Sequence, residues 1–176
     1  MLVWRWIRGI VLAKGSYGLF LKFRGVVSFV SKILVLYYSR TGNTEKMADA
    51  VAEGARSAGN VEVDLEYHVD AEELGRFDAV LVGSPTYHHE MPIDVKTLFE
   101  EAAVKGVSLK GRIGATFGSY GWSGEAPKLV LEIMKYKFEM QTAEPPLLAR
   151  YAPDQNVLNA CRSLGKRVAE SLIRQA

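Results

Sequence analysis

The run Ile33-Leu34-Val35-Leu36-Tyr37-Tyr38 is apolar at consecutive positions and too short for a helix, which predicts a parallel strand buried on both faces. Downstream, Met47, Ala48, Val51, Ala52 and Ala55 recur at helical spacing, so a helix is predicted over 44–57, with Gly59-Asn60 as its stop. Residues 61–67 alternate strictly between apolar and polar, the signature of a strand with one wet face at the edge of a sheet. A short helix over 71–75 and a continuous apolar strand over 79–83 follow. Pro92 can open the next helix, because its missing N–H costs nothing there, and Ile93, Val95, Leu98, Phe99 and Ala102 continue it. Residues 112–117 predict a fourth strand. A helix follows over 126–139, with Leu129, Val130, Ile133, Met134 and Phe138 facing inward. A fifth strand over 146–150 is weakened by its prolines and so expected at an edge. The last helix, over 154–174, lines one face with Val157, Leu158, Cys161, Leu164, Val168 and Leu172. Strands separated by helices at this rhythm predict an α/β fold, a doubly wound parallel sheet of five strands with helices on both faces.

Residues 1–30 break this pattern. Aromatic and aliphatic residues are mixed there with basic ones, and Lys14, Lys22 and Arg24 interrupt every apolar stretch, so no run reaches the roughly 20 residues that cross a bilayer. The domain organisation read from the chain is a basic hydrophobic extension over 1–30 and one globular domain over 31–176. Two readings of the extension compete. It could lie on an anionic membrane surface, or it is a misassigned start, with the functional chain beginning near Val30. The second is preferred, because the globular pattern begins at Ile33.

Composition sharpens the picture in three places. The 22 basic and 20 acidic residues nearly balance, which gives no electrostatic case for nucleic acid. Six of the basic residues, and none of the acidic ones, fall within 1–32, so the remainder carries 16 basic against 20 acidic and is mildly acidic, at −4. The single cysteine, Cys161, excludes an intrachain disulfide and any cysteine-pair metal site, and makes a reducing cytoplasm the simplest compartment. On the inward stripe of the last helix it reads as a core residue rather than a reactive thiol.

The candidate chemistry sits in three segments at the carboxyl ends of strands one, three and four, where open parallel sheets bind ligands. Ser39-Arg40-Thr41-Gly42-Asn43-Thr44 lies between a strand and a helix. Backbone N–H groups of a helix's first turn lack intrahelical partners and favour an anion. Ser39, Thr41, Thr44 and Asn43 can add hydrogen bonds, and Gly42 lets the backbone come close. The bland alternative is an ordinary Ser/Thr/Asn helix cap. Gly83-Ser84-Pro85-Thr86-Tyr87-His88-His89-Glu90 and Gly118-Ser119-Tyr120-Gly121-Trp122-Ser123-Gly124 each place aromatic rings on a loop. Taken singly, Tyr87 or Trp122 would be a loop anchor; together beside a phosphate cradle they suit a flat aromatic ligand. Arg40 could screen the phosphate or point outward. His88 and His89 could move a proton near neutral pH, although neighbouring histidines on a loop are more often solvated. With only His68 besides them and no carboxylate cluster alongside, a metal site is not expected. Glu90 reads as a solvated loop charge.

These three segments together resemble the flavodoxin family, and the third is most similar to the flavodoxin-like module of the A-type (flavodiiron) flavoproteins. The resemblance covers about residues 31–176. It implies a strand order of 2-1-3-4-5 and non-covalent FMN, with the phosphate at Ser39, Arg40, Thr41, Gly42, Asn43 and Thr44. It implies further that Ser84, Pro85, Thr86, Tyr87 and His88 on one loop, and Ser119, Tyr120, Gly121, Trp122 and Gly124 on the other, frame the flavin ring. Tyr87 and either Tyr120 or Trp122 would stack on it, and a main-chain group near residues 87–90 would hydrogen-bond its N5. The function implied is electron transfer between redox partner proteins, with no catalytic side chain; a homodimer stays open. An FMN-dependent NAD(P)H or quinone reductase of the same fold is the alternative, and the short loops count against it. An interaction module without flavin is a third reading, disfavoured by the intact phosphate loop. Two departures stand out. Flavodiiron proteins carry a metal-binding domain whose His/Asp/Glu clusters this chain lacks, and flavodoxins are usually far more acidic.

Overall fold

A computed structural model of the protein describes residues 3–7, 10–15, 18–23 and 26–175, with side chains from Val30 onward. Strands β1 (Val3–Ile7), β2 (Ile10–Gly15), β3 (Gly18–Phe23) and β4 (Val26–Phe29) pair in sequence order as an antiparallel meander. The sequence pattern did not predict these strands, because the lysines and arginines between the apolar residues mask any clean period of two. The reading of residues 1–30 as an extension concerns side chains and chain ends outside the described residues.

From Ser31 the chain builds a second sheet. Strands β5 (Ser31–Tyr37), β6 (Val61–Glu66), β7 (Ala79–Gly83), β8 (Ile113–Tyr120) and β9 (Gln141–Arg150) pair in parallel, in the order β6-β5-β7-β8-β9. This is the expected 2-1-3-4-5 order, with the alternating strand at one edge and the proline-bearing strand at the other. Side chains on a strand alternate faces, so β5 sends Ile33 and Val35 into one core and Leu34 and Leu36 into the other. Helices α1 (Asn43–Ser57) and α4 (Gln155–Gln175) cover the first face. Helices α2 (Ile93–Val104) and α3 (Glu125–Glu132), with a 3₁₀ turn over Ala71–Arg76, cover the second. Each fully buried aliphatic side chain in these cores contributes roughly 1.5–3 kcal/mol, which is why the apolar runs at β5 and β7 fix the middle of the sheet.

Three boundaries differ from expectation, each for a physical reason. Strand β8 runs on to Tyr120 because Ser119 and Tyr120 keep pairing with Ala149 and Arg150; Gly118, Ser119 and Tyr120 are therefore strand rather than loop. Strand β9 starts at Gln141, and Pro145 and Pro146 are tolerated because they lie on an edge strand where its register against β8 shifts between Ala115 and Phe117. The helix expected over 126–139 is α3 followed by a π-helical turn over Ile133–Lys137, which brings Met134 and Phe138 into the core and leaves Leu129 and Ile133 partly covered.

Candidate functional site

The chain leaves β5 toward β6 on one side and returns to β7 on the other, so the strand order reverses between β5 and β7. A crevice opens at their carboxyl ends, closed at its base where the Tyr38 N–H donates to the Gly83 carbonyl at 2.9 Å.

The 39–44 loop turns into α1 at Gly42, whose φ of 76° is the left-handed conformation that glycine adopts without penalty. The helix begins when the Lys46 N–H donates to the Gly42 carbonyl at 3.1 Å. No side chain caps it. The N-cap position is Gly42, which has no side chain to offer, and Ser39, Thr41 and Asn43 adjoin the helix N-terminus without a hydrogen bond to its amides. Thr44 behaves differently. It is buried, and its hydroxyl lies 3.0 Å from that of Ser119 and accepts the Ser119 N–H at 3.4 Å, so it ties the start of α1 to the end of β8.

The second loop is held on both flanks. Ser84 and Pro85 are buried, and the Ser84 N–H donates to the Phe117 carbonyl at 2.9 Å. Thr86 is half-buried, and its hydroxyl accepts the Ala126 N–H at 3.1 Å, which spends this side chain on the first turn of α3. Tyr87 is half-buried, with the Arg40 guanidinium 5.5 Å from its ring centre and Tyr38 edge-on at 6.3 Å. Burial pushes the Tyr87 phenol up, against the opposing pull of Arg40. Tyr87 and Glu90 exchange both backbone hydrogen bonds, at 3.0 and 2.9 Å, around His88 and His89 at φ of 51° and 66°. Positive φ at both central residues is the mark of a type I′ hairpin turn.

In the third segment Tyr120 is half-buried. A methyl group on Gly124 would lie 3.2 Å from its ring, so the glycine leaves room for that ring. Gly121 is exposed, and Trp122 is 87% exposed. Trp122 is thus not drawn onto the other loop residues, an unusual position for the largest apolar side chain.

Three features were not singled out from the sequence. Glu125, at the first position of α3, lies 3.0 Å from the His89 Nδ1. The His89 ring and then the Ser123 hydroxyl hold its carboxyl down at about 2. Arg150 approaches the Gly121 carbonyl at 3.5 Å and lies over the Tyr151 ring. Tyr67, from the segment after β6, packs against Tyr37 and Tyr38 at 5.7 and 5.5 Å between ring centres, beside a cleft of about 180 Å³ that Asp70, Ile93 and Asp94 also line. Only the acid at a helix's first position carries a sequence signal, through its favourable place at the dipole. Elsewhere, Cys161 is buried, which pushes its thiol up to about 12 and leaves it inert. Among the described residues no group of three His, Cys, Asp or Glu side chains could hold a metal ion, and no helix is long and apolar enough to cross a membrane.

The model of the flavodoxin family matches residues 35–165, from the second half of β5 through the other four parallel strands and the three segments at their carboxyl ends. The chain belongs to the flavodoxin family. Its relatives include a type A flavoprotein of Rhodobacter capsulatus, 34% identical over 152 residues, which cover 82% of this chain and 34% of that protein. A nitric oxide reductase of Moorella thermoacetica is 32% identical over 145 residues, 79% of this chain and 36% of that one. This flavodoxin domain thus spans about a third of the length of the curated relatives it matches. Among solved structures, a flavodoxin from the domain Archaea superposes with a TM-score of 0.74 at 38% identity, over 81% of this chain and 99% of its own. The rubredoxin oxygen:oxidoreductase of Desulfovibrio gigas does so with a TM-score of 0.74 at 26% identity, over 82% and 36%.

Flavodoxins hold FMN, and the residues present fit that group. An uncapped helix N-terminus with a left-handed glycine and three free-standing polar side chains suits a phosphate. A half-buried tyrosine and an exposed tryptophan on the two neighbouring loops suit a flat ring.

Proposed function

We propose that the domain is an FMN-dependent electron carrier that shuttles electrons between partner proteins in the cytoplasm, with residues 31–176 forming the functional unit and residues 1–30 an extension outside it. The observation that carries the reading is the N-terminus of α1, which opens at the strand switch point with no side chain capping it. With glycine at the cap, the first-turn amides of 43–45 have no side-chain acceptor of their own and are open to an anion.

The bound FMN would supply one-electron chemistry, and the chain's part is to bind, orient and cover it. The free amides of 43–45, with Ser39, Thr41 and Asn43, would take the phosphate. Arg40 would screen that charge while its guanidinium stays over Tyr87. Tyr87 from one loop and Trp122 from the other would flank the ring, and Trp122, being exposed, also offers a contact to a partner. Thr44 and Thr86 are committed to protein hydrogen bonds and serve to fix the distances between the three segments. No side chain is required as an acid or base. The activities named for the longer relatives belong to proteins of which this chain covers about a third and are not carried over.

Purified protein loaded with FMN should titrate in two separated one-electron steps, read by absorbance. It should also be reduced slowly by NADPH alone and rapidly by a reductase partner. Fast reduction by NADPH without a partner protein would replace the carrier by the NAD(P)H or quinone reductase reading. Failure to bind FMN would remove both.

A further inference from the structure

The His88–His89 turn holds a conformation that neither residue favours. Two-residue hairpins of this kind usually carry Asn-Gly or Gly-Gly, because both central residues need positive φ. Histidine tolerates the left-handed region better than most side chains, yet two such residues in tandem store strain that the surroundings must hold. The Tyr87–Glu90 hydrogen bonds close the turn but do not select its hand alone. The remaining tie is His89 Nδ1 to Glu125 Oε1 at 3.0 Å, across 36 residues, from the turn to the first residue of α3. The α3 end is itself fixed to the same loop by the bond from the Ala126 N–H to the Thr86 hydroxyl. The Glu125 side chain is 44% exposed, and Ser123 supports the same carboxylate beside His89.

We infer that Glu125 is the positioning residue of the ligand-facing turn: through His89 it holds residues 88 and 89 in the left-handed conformation before any cofactor arrives. The inference rests on the FMN reading for its consequence, but not for its mechanism. If only the fraction of molecules with the turn formed can take the flavin, the apparent affinity falls in proportion to that fraction. Arg40 on Tyr87 and Glu125 on His89 then act as two clamps on one loop, one from each neighbouring segment.

The test uses the full chain without FMN first. Hydrogen exchange at the Glu90 amide, whose N–H donates to the Tyr87 carbonyl, reports whether the turn is closed. Glu125→Gln should speed that exchange about fivefold, the upper end for an exposed ion pair, and weaken FMN binding by no more than about twofold. His89→Gly accepts positive φ without strain, so adding Glu125→Gln to it should change neither readout, a rescue that a general loss of fold would not produce. His89→Asn, which tolerates the left-handed region and can still donate to the carboxylate, should stay near wild type. Wild-type exchange and affinity in Glu125→Gln would overturn the inference. So would an effect of Glu125→Gln that persists undiminished beside His89→Gly, because Glu125 would then act by some other route. Wild-type protein that binds no FMN would sink the proposed function while leaving the exchange result to decide the clamp.

Discussion

Where α1 crosses α4, backbone meets backbone, whereas at the carboxyl ends of the strands backbone groups are left without partners. A methyl group on Gly54 would sit 1.9 Å from the Arg162 carbonyl oxygen, and one on Gly165 would sit 2.0 Å from that of Val51. The two glycines let the helices interlock, and Met47, Val51, Leu164 and Val168 close the space around them. At the other region the three segments and the start of α3 meet through directional contacts that include Thr44 to Ser119, Arg40 to Tyr87, Thr86 to Ala126 and His89 to Glu125. The first region is fixed by volume exclusion and tolerates no change of shape. The second is fixed by a few directional contacts, which leaves the uncapped amides of α1 and the exposed Trp122 for something else to satisfy. The same fold thus concentrates its stability on one face and its unsatisfied chemistry at one end.

That contrast can be broken or sharpened by substitution. The largest effect is expected for Gly165→Ala, which must push α1 and α4 apart and should destabilise by about 3 kcal/mol in urea unfolding, with no direct contact to the loops. A variant as stable as wild type would show that the helix interface is looser than its geometry. Next is Thr44→Val, which leaves the buried Ser119 hydroxyl without its partner and should cost about 1.5 kcal/mol. Because this contact joins two of the segments, FMN affinity should fall with it. Thr41→Val and Asn43→Ala should leave unfolding within about 0.5 kcal/mol of wild type. Each should weaken FMN binding about fivefold, measured by fluorescence titration. Unchanged affinity in both would remove the phosphate assignment from this loop.

The smallest effect is a matter of pH. The Glu125 carboxyl sits at about 2 in the folded chain, below the ordinary carboxylate value, because of His89 and Ser123. A depressed folded value means that the contribution is fully present above the ordinary value of 4.5 and is lost as pH falls toward about 2. The stability difference between wild type and Glu125→Gln should therefore shrink as pH falls from the ordinary carboxylate value toward about 2. A difference that stays constant down to pH 2 would contradict the pairing.

The buried strands and the inward helix faces were legible because burial on two faces writes unbroken apolar runs, as at 33–36 and 79–82, and burial on one stripe writes the spacing of Met47, Val51 and Ala55; the strand order came from the family resemblance. The end of β8 was not legible. Gly118 and Ser119 look like loop residues, yet a methyl group on Gly118 would sit 1.9 Å from the Ser84 carbonyl oxygen, so a glycine there marks a close strand contact rather than a turn. The start of β9 was hidden by its prolines, which only an edge position with a register shift makes acceptable. Within the site, the residue types for a phosphate and a flat ring were readable from composition at strand ends. Their division of labour was not: Thr44 and Thr86 resemble Ser39 and Thr41 in sequence, but the first two face protein partners and the other two do not cap the helix they adjoin.

From Ile33 onward the sequence by itself determined the alternation of strands and helices, and that three polar and aromatic segments stand near the carboxyl ends of strands, because those properties follow from local period and residue type. Only the tertiary structure decided that His89 meets Glu125, that Arg40 lies over Tyr87 and that the His-His turn is left-handed. Contacts of this kind depend on the mutual placement of loops after β5, β7 and β8, separated by tens of residues, and no local pattern along the chain encodes a distance between them.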